Sequence, residues 1–275
     1  MQTVNAGAMR LPKLGLGTWR LKGEECTQAV LGAIARGYRH VDTAQMYGNE
    51  DAVGDAIAAM PIPRADLHLT TKVWWANLAP DAMRRSIEES LRLLRTDYLD
   101  LYLIHWPAPD MDLAASLAAL VKFREEGLTR HIGVSNFPSA LLRQAVEEIQ
   151  APIVCNQVEY HVLLGQSRLL GYMQSKGLAL TAYCPLAQGR LAEHPALDAI
   201  AAKHNVTAAQ VALKWLLDQP NVAAIPKAGR AISQQANLDA LALTLDDADR
   251  AVIAGLPKSV RCVNPATAPE WDAPG

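Results

Sequence analysis

The sequence predicts a closed (β/α)8 barrel of the TIM type, and three observations point to it. Short apolar runs alternate with segments of helical period along the chain, the pattern of repeated βαβ units that builds a parallel sheet covered by helices. Eight such runs can be distinguished, the number that closes a barrel of this kind. Asp42, Lys72 and His105 stand at or near the ends of three of the runs, with Tyr47 just beyond the first. Strand ends share one face of such a barrel, and catalytic groups gather there.

The strand candidates are residues 14–17, 38–42, 67–73, 99–105, 129–135, 153–158, 178–183 and 222–225. Helical segments follow at 24–36, 49–59, 80–94, 113–126, 138–148, 166–176, 207–218 and 233–241. In the third of these, Ile87, Leu91 and Leu94 have the spacing of one apolar face and are expected to pack on the sheet. Residues 4–9 suggest a small hairpin around Asn5-Ala-Gly7, and 246–255 an extra helix before an irregular tail. The chain has 275 residues, with no linker, repeat array or low-complexity stretch, and is expected to be one domain over 1–275.

Half the residues are apolar, a fifth are charged and the net charge is −2, a balance that gives no reason to propose nucleic acid or an anionic membrane as partner. No run approaches the roughly 18 apolar residues of a membrane span, and the opening lacks a basic segment followed by an apolar core. The expected location is the cytoplasm. Cys26, Cys155, Cys184 and Cys262 lack metal-ligand spacing and read as reduced thiols, so no metal site is expected.

The four polar residues make a coherent chemical set if their strand ends converge. A phenol with an unperturbed pKa of about 10 is a poor proton donor at neutral pH. An ammonium on Lys72 is expected to lower that pKa, with Asp42 keeping the lysine charged despite burial. Tyr47 then becomes a general acid, and His105 can hydrogen-bond a carbonyl oxygen as it gains charge. What this set lacks is a hydride source, for which a nicotinamide cofactor is the natural complement. Each residue has a blander reading: Asp42 could cap a turn, His105 could be a satisfied core histidine and Tyr47 a loop aromatic. Lys72 is harder to dismiss, because a strand buried on both faces is a poor environment for an unpaired ammonium. Trp19, Trp74 and Trp106 lie at or beyond the same strand ends, where aromatic walls suit a small-ligand site, whereas Trp215 reads as ordinary core.

Six motifs carry a family resemblance. Gly15-Leu-Gly-Thr-Trp19, Asp42-Thr-Ala-Gln-Met-Tyr-Gly-Asn-Glu50, Thr71-Lys-Val-Trp74, Leu103-Ile-His-Trp-Pro107, Ile132-Gly-Val-Ser-Asn-Phe137 and Asn156-Gln-Val-Glu-Tyr-His161 resemble, in order and spacing, the aldo-keto reductase pattern. Gly127-Leu-Thr-Arg130, Ala201-Ala-Lys-His-Asn205 and Ala268-Pro-Glu-Trp-Asp272 are similar to a bacterial group within it that reduces 2,5-diketo-D-gluconate and methylglyoxal. The resemblance implies an NADPH-dependent reductase of small aldehydes, ketones or dicarbonyls, β-keto esters included, with NADH less favoured and a monomer as the default. It also implies that Asp42, Tyr47, Lys72 and His105 are catalytic, that Trp19, Trp74 and Trp106 line the substrate site, and that the hairpin plugs the barrel bottom.

Cofactor residues follow from the same resemblance. Ser135, Asn136 and Gln157 would hold the nicotinamide carboxamide and Tyr183 would stack on the ring, with Gly17 and Thr18 at the first strand end. Leu186 and Gln188 fall in the loop resembling the pyrophosphate belt, although Cys184 and Ala187 replace a serine and a glycine. Lys227, Arg230 and Asn237 match the adenosine-phosphate clamp in part, with Ala228 and Ser233 where a serine and an arginine are common. Gly15-Leu-Gly17 is no Rossmann fingerprint, since Arg20 stands at the third glycine. Two competing readings remain open: a cofactor-binding regulatory barrel with little turnover, and a metal-dependent hydrolase using His40, His105 and His161.

Overall fold

A computed structural model describes residues 2–191 and 194–273. Its sheet has eight strands, all parallel: β3 (Leu16–Gly17), β4 (His40–Asp42), β5 (His68–Val73), β6 (Leu99–Ile104), β7 (Thr129–Ser135), β8 (Cys155–Glu159), β9 (Ala179–Tyr183) and β10 (Val222–Ala224) in consecutive order. Leu14 and Gly17 bridge Ala224 and Lys227 in parallel fashion and close the sheet. The seam demands a residue without a side chain, because a Cβ on Gly17 would lie 2.6 Å from the Ile225 carbonyl oxygen.

Before the barrel, β1 (Thr3–Ala6) and β2 (Met9–Pro12) form an antiparallel hairpin turned by Gly7 and Ala8, slightly later than expected. Its Val4, Ala6, Met9 and Leu11 pack against Leu101, Leu103, Cys155, Ala179 and Ala223 in the barrel lumen. The hairpin is therefore the apolar floor on which a polar layer rests.

Strand alternation divides the work of the two faces. Leu69, Val73, Tyr102, Ile104, Ile132 and Val134 point outward into the main core beneath the helices, while Asp42, Lys72 and Gln157 face one another inside. The helices of the first half are α1 (Gly23–Ala35), α2 (Glu50–Ala59), α3 (Pro80–Leu94), α4 (Leu113–Glu125) and α5 (Ser139–Arg143). On α3, Ile87 and Leu94 are fully buried and Leu91 packs beside them, as the period requires. After α5 the expected helix continues as a π turn over Gln144–Glu148.

The second half contains α6 (Ser167–Ser175), α7 (Pro195–His204), α8 (Ala208–Leu217), α9 (Ala231–Asp239) and α10 (Asp247–Ala254). Helix α7 has no counterpart among the sequence expectations, which allot one helix to each strand. Its signals are ordinary: a proline in the first turn, Leu197, Ile200 and Ala201 on one buried face, and Asn205 at φ 54° ending it. Only Asn205, Val206 and Thr207 separate it from α8, which opens with a Thr207–Gln210 capping box. No described helix is long and apolar enough to cross a membrane.

Candidate active site

Asp42 ends β4 and Lys72 lies one strand away on β5, so their side chains enter the lumen side by side. The lysine is fully buried and its three donors all have acceptors. Its Nζ is 2.6 Å from Asp42 Oδ1, 2.8 Å from the Thr43 carbonyl and 3.4 Å from the Tyr47 hydroxyl oxygen. The other Asp42 oxygen accepts from Gln157 Nε2 at 2.7 Å. Tyr47 is brought over this pair by a single 3-10 turn, Gln45–Tyr47, which Gly48 ends in the left-handed region at φ 56°. Its ring lies 4.9 Å from that of Trp19 and 5.6 Å from that of His105, the latter edge to face.

The electrostatics differ from expectation in one respect. Burial raises the Tyr47 pKa by more than Lys72 lowers it, so the phenol is held above its ordinary value rather than below it. For Lys72 the balance runs the other way: burial disfavours its charge, but Asp42 and Tyr47 outweigh burial and raise the pKa. Burial and then Lys72 push His105 well below the ordinary histidine range. The site therefore presents a protonated phenol, a charged lysine and a neutral imidazole at neutral pH. His105 Nδ1 is buried without a partner among the described residues, and Trp74 stands 5.4 Å from its ring.

Beside this group, the ends of β7 to β9 are tied to one another. Ser135 Oγ donates to the Gln157 carbonyl at 2.7 Å, and Asn136, at φ 62°, donates from Nδ2 to the His105 carbonyl at 3.0 Å. The Tyr183 hydroxyl donates to Asn136 Oδ1 at 2.8 Å. Gln157 also touches Asp42 directly, a contact across the lumen that spacing along the chain does not specify. The remaining expected cofactor residues are spread along the rim and the side of the barrel. Gly17 and buried Thr18 serve the fold: Thr18 Oγ1 donates to the Asp42 carbonyl at 3.1 Å and its own carbonyl accepts from Asn49. Lys227, Arg230 and Gln188 are exposed, whereas Asn237 is buried on α9. Cys184, Ala187, Gln188 and Gly189 all have positive φ, which gives the loop after β9 a strongly curved backbone.

A second set of residues, from the tail, also reaches this face. Val260 N–H donates to the Leu163 carbonyl, and the backbone N–H groups of Cys262 and Val263 donate to the two oxygens of buried Glu159. Since the Leu163 N–H donates to His161 Nδ1, the proton sits on Nε2, which donates to Glu159 Oε1 at 3.0 Å. Further on, Trp271 packs 5.9 Å from Trp106, and Asp272 accepts from both the backbone and the hydroxyl of Ser139. The tail has no regular secondary structure to announce it in the sequence, and the Glu270-Trp-Asp272 run is its one local signal. The histidines of the hydrolase alternative are dispersed, with His40 against His68, His105 among Trp74 and Tyr47, and His161 on Glu159.

A buried aspartate and lysine beneath a half-buried tyrosine, over a plugged barrel floor, define a class, and comparison agrees: the aldo/keto reductase family model matches residues 13–257, and the chain belongs to that family. It is 42% identical over 268 residues to methylglyoxal reductase DkgB of Escherichia coli O157:H7, covering 96% of this chain and 100% of that one. An aldo-keto reductase of Mycobacterium sp. (strain JLS) is 39% identical across 91% of each chain. Among solved structures, one provisionally assigned as a 2,5-diketo-D-gluconic acid reductase B superposes with a TM-score of 0.96 at 42% identity, over 99% of this chain and 98% of that one. The protein is accordingly an oxidoreductase acting on carbonyl groups with a nicotinamide cofactor.

Proposed function

We propose that the enzyme reduces small aldehydes, ketones or dicarbonyls, methylglyoxal and 2,5-diketo-D-gluconate foremost, with NADPH preferred to NADH and Tyr47 as the general acid. The observation that carries this reading is the contact of one buried ammonium, Lys72, with both Asp42 and the Tyr47 hydroxyl. The residues present fit a nicotinamide dinucleotide. Gln157 Oε1 and the second lone pair of Asn136 Oδ1 remain free to accept from a carboxamide among the described residues. Tyr183 offers a half-buried ring beside them, and the loop after it, left-handed at Ala187, Gln188 and Gly189, has a curved backbone suited to passing a pyrophosphate. Lys227 and Arg230 form no ion pair among the described residues and could meet a ribose phosphate.

When bound, the nicotinamide supplies the hydride. A carbonyl oxygen seated between the Tyr47 hydroxyl and the neutral His105 ring receives the phenolic proton as negative charge develops on it. Lys72 stabilises the phenolate left behind, and Asp42, held by Lys72 and Gln157, keeps the ammonium charged. Trp19, Trp74 and Trp106 form apolar walls that hold a small substrate and exclude water. A monomer is the oligomeric state that goes with this reading, and the free cysteines suit the cytoplasm. The test is oxidation of NADPH and of NADH followed at 340 nm with both substrates. Turnover with NADPH that disappears in Tyr47→Phe supports the proposal, and turnover retained in that variant overturns it.

A further inference from the structure

Arg261 is the charged side chain in the tail that the site described so far leaves without work. Its backbone is fixed from both sides, by Val260 on Leu163 and by Cys262 on Glu159. Its guanidinium lies 3.8 Å from the centre of the Trp271 ring, whose Nε1 is itself held by Asn264 Oδ1 at 2.8 Å. Trp271 in turn packs on Trp106, the residue after His105. An unbroken series of contacts therefore leads from the reacting end of the pocket to this arginine.

Despite that fixed seat, the fork of Arg261 makes no hydrogen bond or ion pair among the described residues, and its Nη1 is buried without a partner. Glu159, the carboxylate whose charge acts on Arg261, has both oxygens taken by the backbone N–H groups of Cys262 and Val263 and by His161. Burying one end of a guanidinium without an acceptor is costly. A planar cation with one face stacked and its donors unspent is suited to bidentate recognition of a carboxylate.

We infer that Arg261 binds a carboxylate on the substrate, so that the enzyme favours oxo acids, molecules with an anionic group beyond the reacting carbonyl, over neutral carbonyl compounds of the same size. The inference rests on the carbonyl-reducing reading of the same mouth. Stacking on Trp271 fixes the plane of the guanidinium, and the anchored tail fixes its place, so recognition requires little reorganisation. A lysine at this position would supply charge without the fork.

The matched pair 4-oxobutanoate and its methyl ester separates charge recognition from carbonyl chemistry. In wild-type enzyme kcat/KM should favour the acid, and in Arg261→Gln the acid-to-ester ratio should fall at least tenfold, mainly through KM of the acid. Arg261→Lys should restore part of the ratio. An unchanged ratio in Arg261→Gln, in a variant whose thermal melt matches wild type, overturns the inference. If the wild type reduces neither compound, the functional reading fails and Arg261 is judged by binding alone. Acid but not ester should then quench the tryptophan fluorescence of wild type in the presence of NADP+, with affinity lost in Arg261→Gln. Equal quenching by acid and ester would overturn the inference independently of turnover.

Discussion

At the scale of single residues, the site is a balance between burial and a few opposing charges. Tyr47 stays protonated because burial dominates, while Lys72 opposes burial and, on the proposed mechanism, limits the cost of a phenolate formed in turnover. Tyr47→Phe should therefore reduce kcat by several orders of magnitude and leave the dissociation constant of NADPH, read by fluorescence titration, within about twofold; general acid catalysis alone contributes roughly 10²–10⁴-fold. Lys72→Met removes the one group that pulls the Tyr47 pKa down. A general acid works while protonated, so the alkaline fall in rate should move to higher pH, on a plateau well below that of wild type. The same change leaves Asp42 buried without its cation, which costs on the order of 3–5 kcal/mol and should appear in urea unfolding. An unchanged pH profile in a folded variant would show that Lys72 does not act on Tyr47.

At the scale of elements, the placement of side chains depends on where the backbone has room. The first and last strands meet at Gly17, and Gly17→Ala should destabilise the protein by about 1–3 kcal/mol through the clash with the Ile225 carbonyl. Gly171, exposed within α6 and with open space around it, offers the opposite case: Gly171→Ala should stabilise by about 0.5–1 kcal/mol. Chemical denaturation of the two variants checks both signs. The turn between β10 and α9 carries Lys227 and Arg230, and their joint replacement by alanine should raise KM for NADPH at least tenfold more than KM for NADH. That expectation follows from charge-assisted hydrogen bonds of about 1.5–3 kcal/mol each. Equal losses with the two cofactors would show that neither residue reads the phosphate.

For the whole molecule, acid should be the weak direction. Burial holds His40 down to about 4, and His68, His105 and His131 are also depressed by burial first. The unfolded chain takes up protons on these histidines near the ordinary value of about 6.5, where the folded chain does not. Stability is thus fully present above that value and falls as pH drops toward 4. His40 alone accounts for about 3 kcal/mol of the decline, at ~1.4 kcal/mol for each unit of pKa difference. Urea midpoints measured from pH 7 to pH 4 should show a steady decrease, and a His40→Gln variant a shallower one.

The sequence by itself determined the barrel, its eight strands, the residues at their ends and the family, because strand alternation and helical period are local properties of the chain. Lys72 was legible for the same reason: a lysine within a buried strand must have a partner. Local order could not decide which partners meet. Gln157 pairs with Asp42 across four strands of the sheet, burial reverses the expected shift of Tyr47, and Arg261 and Trp271 return from the far end of the chain to the mouth formed by His105 and Trp106. Those outcomes depend on curvature, closure and the dielectric surroundings, which are properties of the folded whole. Helix α7 lies between the two cases, since its signals are local but the rule of one helix per strand hid it.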